Sequence, residues 1–194
     1  HIIRRCNIHD CQQTGIVGRM GCVFSTIEDN HIHHINNMME QGGAEIAGIK
    51  MHAAIDVTMR RNHIHHCTMG IWCDWEAQGT RLTQNLLHDN CPPAGTPKAE
   101  GAMMSQDIFI EVGHGPTLID NNIIWNVEGR FDPKKIPVEP GSTGWYKMEE
   151  HDVVNGYGIY GEGTDHLRIV NNLIGNCRSA GYFAKPVSFR AEGM

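Results

Sequence analysis

A short phrase returns along the chain and constrains the fold more than any other feature. It begins as Cys6-Asn7-Ile8-His9-Asp10-Cys11 and continues as Asn30-His31-Ile32-His33-His34-Ile35 and Asn62-His63-Ile64-His65-His66-Cys67. Asn85-Leu86-Leu87-His88-Asp89, Asn122-Ile123-Ile124-Trp125-Asn126-Val127 and Asn172-Leu173-Ile174-Gly175-Asn176-Cys177 complete the six copies. From Asn30 onward the copies are 32, 23, 37 and 50 residues apart, so the shortest step approximates a bare repeat and the others carry insertions. A unit of about 20–25 residues built from short β-branched runs, with no amphipathic helix, buries its apolar face only by stacking on its neighbours. The expected fold is all-β: a right-handed single-stranded parallel β-helix, or β-solenoid, of about six rungs with loop insertions. A leucine-rich repeat has a similar period but a denser Leu pattern, which is absent here.

Within the phrase, columns carry separate meanings. The position three after the central Ile holds Cys11, Ile35, Cys67, Val127 and Cys177, and Cys91 falls one residue late. Cysteine exchanging with Ile and Val marks an inward core ladder, since a free thiol packs as a small hydrophobe. The seven cysteines include no C-x-x-C pair, so neither a disulfide framework nor a zinc knuckle is expected. Asn30, Asn62, Asn85, Asn122 and Asn172 are expected to form a turn ladder in which each amide bonds the next rung. His9, His33, His65 and His88 share a column and invite a metal reading, but no carboxylate keeps a fixed spacing to them. They are read as a stack, with neither metal nor cofactor expected.

Formal net charge is −6 and the basic residues are scattered, which argues against a nucleic-acid footprint. No apolar run approaches the roughly 20 residues that span a bilayer, and no signal peptide opens the chain. The opening His1-Ile2-Ile3-Arg4-Arg5 already reads as a strand entering a repeat. Residues 1–194 are therefore expected to be one β-helix domain, part of a longer protein, with insertions near 92–107 and 128–156. The second insertion, holding Trp145 and Tyr146, reads either as a lid or subsite wall or as a surface excursion. The compartment stays open, and a homo-oligomer is possible.

A second strand follows the Asn phrase, and four of these align: Ile49-Lys50-Met51-His52, Ile71-Trp72-Cys73-Asp74, Ile108-Phe109-Ile110-Glu111 and Ile159-Tyr160-Gly161-Glu162. Alternation sends the Ile column and the Met51, Cys73, Ile110 and Gly161 column inward. It sends Lys50, Trp72, Phe109 and Tyr160 outward, with His52, Asp74, Glu111 and Glu162 beside them. Aromatic rings next to acids suit a sugar, which offers a weakly polar face and hydroxyls. Adjacent strands lie about 4.7–4.9 Å apart, close to the roughly 5–5.5 Å between the carboxyls of retaining glycosidases and short of the roughly 6.5–9.5 Å of inverting ones. Asp74 and Glu111 therefore suit double displacement, with one of the two titrating high as the acid. Spacing alone does not assign their roles, and Glu162 is a further neighbour of Glu111.

The phrases Ala47-Gly48-Ile49-Lys50-Met51-His52, Gly70-Ile71-Trp72-Cys73-Asp74-Trp75-Glu76 and Glu111-Val112-Gly113-His114-Gly115-Pro116 resemble glycoside hydrolase family 120. Its members are β-xylosidases on a right-handed parallel β-helix with an added β-sandwich region. The resemblance covers roughly residues 44–125 and implies that Asp74 is the nucleophile and Glu111 the general acid/base. It further implies that Glu45, His52, Trp72 and His114 contact the sugar, as Glu162 is also expected to do, and that the partner is an oligosaccharide. No stretch here reads as a complete β-sandwich. Two alternatives stand beside a glycosidase. A polysaccharide lyase would need a bound cation and a base, for which Lys50 and Arg81 are the nearby basic residues, and a non-catalytic solenoid would use the aromatic ladder only to hold glycan.

Overall fold

A computed structural model of the chain describes residues 1–20, 22–37, 45–92, 105–127 and 156–185. The repeat closes into three parallel sheets of six strands, so each rung contributes one strand to each sheet. The first sheet stacks β1 (Ile2–Arg4), β4 (Thr26–Glu28), β7 (Thr58–Arg60), β10 (Thr80–Thr83), β13 (Thr117–Asp120) and β16 (Leu167–Val170). The Asn phrase supplies the second: β2 (Asn7–His9), β5 (His31–Ile35), β8 (His63–Cys67), β11 (Leu86–His88), β14 (Ile123–Val127) and β17 (Leu173–Cys177). The third holds β3 (Thr14–Gly18), β6 (Ala47–His52), β9 (Ile71–Asp74), β12 (Ser105–Glu111), β15 (Gly156–Glu162) and β18 (Ala180–Lys185). This is the expected parallel β-helix, six rungs deep. The first sheet was not legible in the sequence, because its strands are short and turn only Ile27, Met59, Leu82 or Ile119 into the core, too few residues for an alternation to show.

The Asn ladder makes the corner between the first and second sheets. The residue before each Asn adopts the left-handed conformation, at φ of 57° for Asp29, 53° for Arg61, 57° for Gln84 and 56° for Asn121. That conformation disfavours a Cβ, and the following amide compensates by tying rungs together. Asn62 Nδ2 donates to Ile27 O at 3.0 Å and to Asn85 Oδ1 at 3.1 Å, while its own Oδ1 accepts from Asn30 N and Nδ2. The same link runs from Asn85 to Asn122 and from Asn122 to Asn172.

Inside, Ile32, Ile64, Leu87 and Ile124 form one fully buried column, and Ile35, Cys67 and Val127 another. Burial pushes the Cys67 and Cys73 thiols well up, as expected of inert packing cysteines. At one rung the thiol column is broken, and by Asn90 rather than Cys91. Asn90 Oδ1 accepts from Cys67 N at 2.9 Å, and its amide donates to Asp107 Oδ1 at 2.6 Å. Asp107 occupies a column that is glycine at Gly48, Gly70 and Gly158, and its complete burial raises its carboxyl well above the carboxylate range. Ser105, Gln106 and Asp107, at the end of the insertion expected near 92–107, belong to β12. Residues 93–104 and 128–155, with Trp145 and Tyr146, lie outside the described residues.

Candidate active site

The third sheet carries the acids. Its register pairs Lys50 with Trp72, Trp72 with Phe109, and Phe109 with Tyr160. In the same strands His52 pairs with Asp74, Asp74 with Glu111, and Glu111 with Glu162, as alternation required. The residue after each member of this second ladder turns left-handed, with φ of 50° at Ala53, 49° at Trp75, 50° at Val112 and 61° at Gly163. The acids therefore stand at the last position before the chain leaves the sheet. There a side chain keeps the rigidity of the strand and the access of a rim.

The ladder beside it differs from expectation. Lys50, Phe109 and Tyr160 point away from the helix core yet are 0%, 5% and 2% exposed, and Trp72 is half-buried. Phe109 packs against Trp72 at 5.3 Å and Tyr160 at 4.9 Å between ring centroids, in a second apolar cluster with Ala47, Met69 and Tyr157. A parallel sheet covered on both faces produces this burial. The rings are thus a wall beneath the acids, not an open platform.

Lys50 is the residue whose role the sequence concealed. Its ammonium lies 2.8 Å from the centroid of the Trp72 ring, 2.8 Å from Asp74 Oδ2 and 3.2 Å from Glu45 Oε2. A fully buried ammonium requires such compensation, here a π-face and two carboxylates. His52 completes the knot, with Nε2 2.8 Å from Glu45 Oε2 and Nδ1 3.5 Å from Asp74 Oδ2. Burial raises the Glu45 carboxyl, but the His52 hydrogen bond and the Lys50 charge outweigh it and hold Glu45 below its ordinary value. Glu45, His52 and Asp74 have the donor atoms of a possible metal cluster. The Lys50 ammonium lies against the same two carboxylate oxygens.

Glu111 has the opposite electrostatics. Burial, then the Asp74 charge, then the hydrogen bond that protonated Glu111 makes with Asp74 push its carboxyl up to about 7. Trp72 Nε1 donates to Glu111 Oε2 at 3.0 Å and fixes its orientation. Asp74 is only 5% exposed, and its Oδ1 is buried without a donor, whereas Oδ2 is held by Lys50. The pair therefore combines an acid poised near neutral pH with a carboxylate whose Oδ1 takes no N–H donor.

The remaining expected site residues divide. Glu45, His52, Trp72, Asp74 and Glu111 are brought together. Glu162 stands in register but accepts from Tyr160 Oη at 2.7 Å and pairs with Lys185 at 2.6 Å, apart from the Asp74 knot. His114 is exposed in the loop after β12 and contacts neither acid. Arg81 lies on the first sheet, paired with Asp120 at 2.7 Å. The sequence did carry a signal for Lys50, a cation at a column otherwise aromatic, two residues before His52. For Lys185 the signal was Gly181-Tyr182-Phe183-Ala184-Lys185, which repeats the columns of Gly158-Ile159-Tyr160-Gly161-Glu162.

Fold and site together define a class: a parallel β-helix bearing paired carboxylates on the rim of one sheet. A family model described as a right handed beta helix region matches residues 1–130, and the chain belongs to that family. It is also similar to a solved structure, "The complex structure of XylC with xylose", at 36% identity and a TM-score of 0.62 over 89% of this chain. The match covers 21% of the XylC chain, so the present chain spans about a fifth of that protein's length. No curated protein matches the chain.

Proposed function

We propose that this chain carries the catalytic carboxylates of a retaining, β-xylosidase-like glycoside hydrolase acting on xylo-oligosaccharides or related glycosides. The observation that carries this reading is the registered pairing of Asp74 and Glu111 on adjacent strands, with Glu111 protonated near neutrality. Adjacent strands at about 4.7–4.9 Å suit the carboxyl spacing of double displacement better than the roughly 6.5–9.5 Å of an inverting mechanism. The xylose bound by XylC and the resemblance to glycoside hydrolase family 120 support the sugar class.

In the first step Asp74 Oδ1 attacks the anomeric carbon as the glycosidic bond breaks, and Glu111 gives its proton to the leaving oxygen. In the second, Glu111 takes a proton from water as that water's oxygen displaces Asp74, restoring both carboxyls. Lys50 holds Oδ2 and keeps the Asp74 carboxyl aimed, and Trp72 does the same for Glu111. In this reading Glu45 and His52 bond sugar hydroxyls, and Glu162 and His114 act farther out.

An aryl xyloside with a good leaving group tests the assignment in the full-length protein. Glu111→Ala should glycosylate and then stall, with azide restoring turnover, and Asp74→Ala should be inactive. Full activity in either variant rules the reading out. An unsaturated product would indicate a lyase, and glycan binding without hydrolysis by the wild type would indicate a binding solenoid.

A further inference from the structure

The second sheet carries a histidine array that the proposed hydrolysis does not use. His9, His33, His65 and His88 form the column seen in the sequence, and His31 and His63 form another two residues earlier on the same face. A simple stack would bring rings together only along each column, as His33 and His65 meet at 5.2 Å and 4°. Here donor edges also meet across columns. His31 Nε2 lies 2.9 Å from His65 Nε2, and His63 Nε2 lies 2.7 Å from His88 Nε2. The ligand atoms of His31, His63 and His65 lie within 4.8 Å of one another, and all three side chains are half-buried.

Each such contact sets a ring N–H against a neighbouring lone pair, so an ion that displaces the shared proton to solvent finds two ring nitrogens aimed at it. The array is also braced from outside. His88 Nδ1 is bonded to Asp89 Oδ2 at 2.6 Å, which makes Nδ1 the donor and presents the Nε2 lone pair toward His63. A carboxylate behind an imidazole is the usual support of a metal-ligating histidine. His65 Nδ1 is engaged by His66 at 2.7 Å, which leaves its Nε2 facing His31. Tetrahedral ligation at about 2.0–2.1 Å sets ligand nitrogens roughly 3.3 Å apart. The His31–His65 and His63–His88 contacts, at 2.9 and 2.7 Å, lie a little inside that value, and side-chain rotation opens them to it.

We propose that His31, His63 and His65, with His88 completing the set, bind one imidazole-preferring divalent transition ion of the zinc or copper class, clamping the rungs of β5, β8 and β11. Purely oxygen-seeking ions are excluded by the donor set, which is all nitrogen.

The test uses untagged full-length protein, stripped with chelator and titrated with Zn(II) against a chromophoric competitor, and with Cu(II) followed by electron paramagnetic resonance. The expected result is one ion per chain at micromolar affinity or tighter, with nitrogen hyperfine structure from imidazoles and no response to Mg(II). His63→Gln and His65→Gln should each weaken binding at least tenfold while xyloside hydrolysis is retained, which separates this site from the hydrolytic one. His52→Gln should leave the affinity unchanged, because its imidazole belongs to the Asp74 knot. Weak, non-saturating uptake, or undiminished affinity in both His63→Gln and His65→Gln, would overturn the proposal. The copper spectrum of the wild type decides the ligand type even if a variant folds poorly.

Discussion

Replacing Glu111 by glutamine isolates the cost of ionising a half-buried carboxyl beside Asp74. The carboxyl titrates at about 7 in place of its ordinary 4.5. At about 1.4 kcal/mol per pH unit of displacement this amounts to about 3 kcal/mol, and residual solvent contact trims it to roughly 2 kcal/mol. Because the folded value lies above the unfolded one, the folded state holds more protons between the two. The stability contributed by protonated Glu111 is therefore complete below pH 4.5 and is lost as pH rises through about 7. Glutamine keeps the shape and accepts from Trp72, but never ionises. Wild type and Glu111→Gln should thus unfold alike near pH 4, and by pH 8 the variant should be more stable by about 2 kcal/mol. Urea unfolding followed by tryptophan fluorescence across this range measures the difference, in which the contributions of other titrating groups cancel. Parallel stability curves, or a wild type that gains on the variant as pH rises, would refute the electrostatic account of the pair.

Two further substitutions carry expected outcomes. Lys50→Met leaves Asp74 and Glu45 without their buried cation, and breaking such a pair should cost about 3–5 kcal/mol in urea unfolding at pH 7. Since Lys50 also holds the Glu111 value down, the limb of the kcat/KM profile assigned to Glu111 should move to higher pH in that variant, and an unmoved limb would count against the coupling. Asn62→Ala orphans the Ile27 carbonyl and the Asn30 amide at the buried corner and should cost roughly 2–4 kcal/mol in a thermal or chemical melt; a near-neutral result would mean that the ladder is decorative.

The sequence by itself determined the register. Because every rung repeats the same Asn corner and the same inward columns, aligning the phrases amounts to stacking the strands, and a one-residue slip would turn each core Ile outward. That is why Asp74 and Glu111 were legible as neighbours although 36 residues lie between them, many in an insertion. The Asn ladder and the buried thiol column were legible for the same reason. Tertiary structure decided what alternation cannot express. It placed Lys50 between Trp72, Asp74 and Glu45, because a long side chain reaches across rungs to whichever charge lies nearest. It buried the outward aromatic ladder, since the covering of a sheet's outer face is not written in the strand's own period. It drew Glu162 away to Lys185, and it brought the donor edges of two histidine columns together. Translation along the helix axis is a one-dimensional property that a repeat encodes directly, whereas the direction each polar side chain takes off that axis depends on neighbours supplied by other turns of the chain.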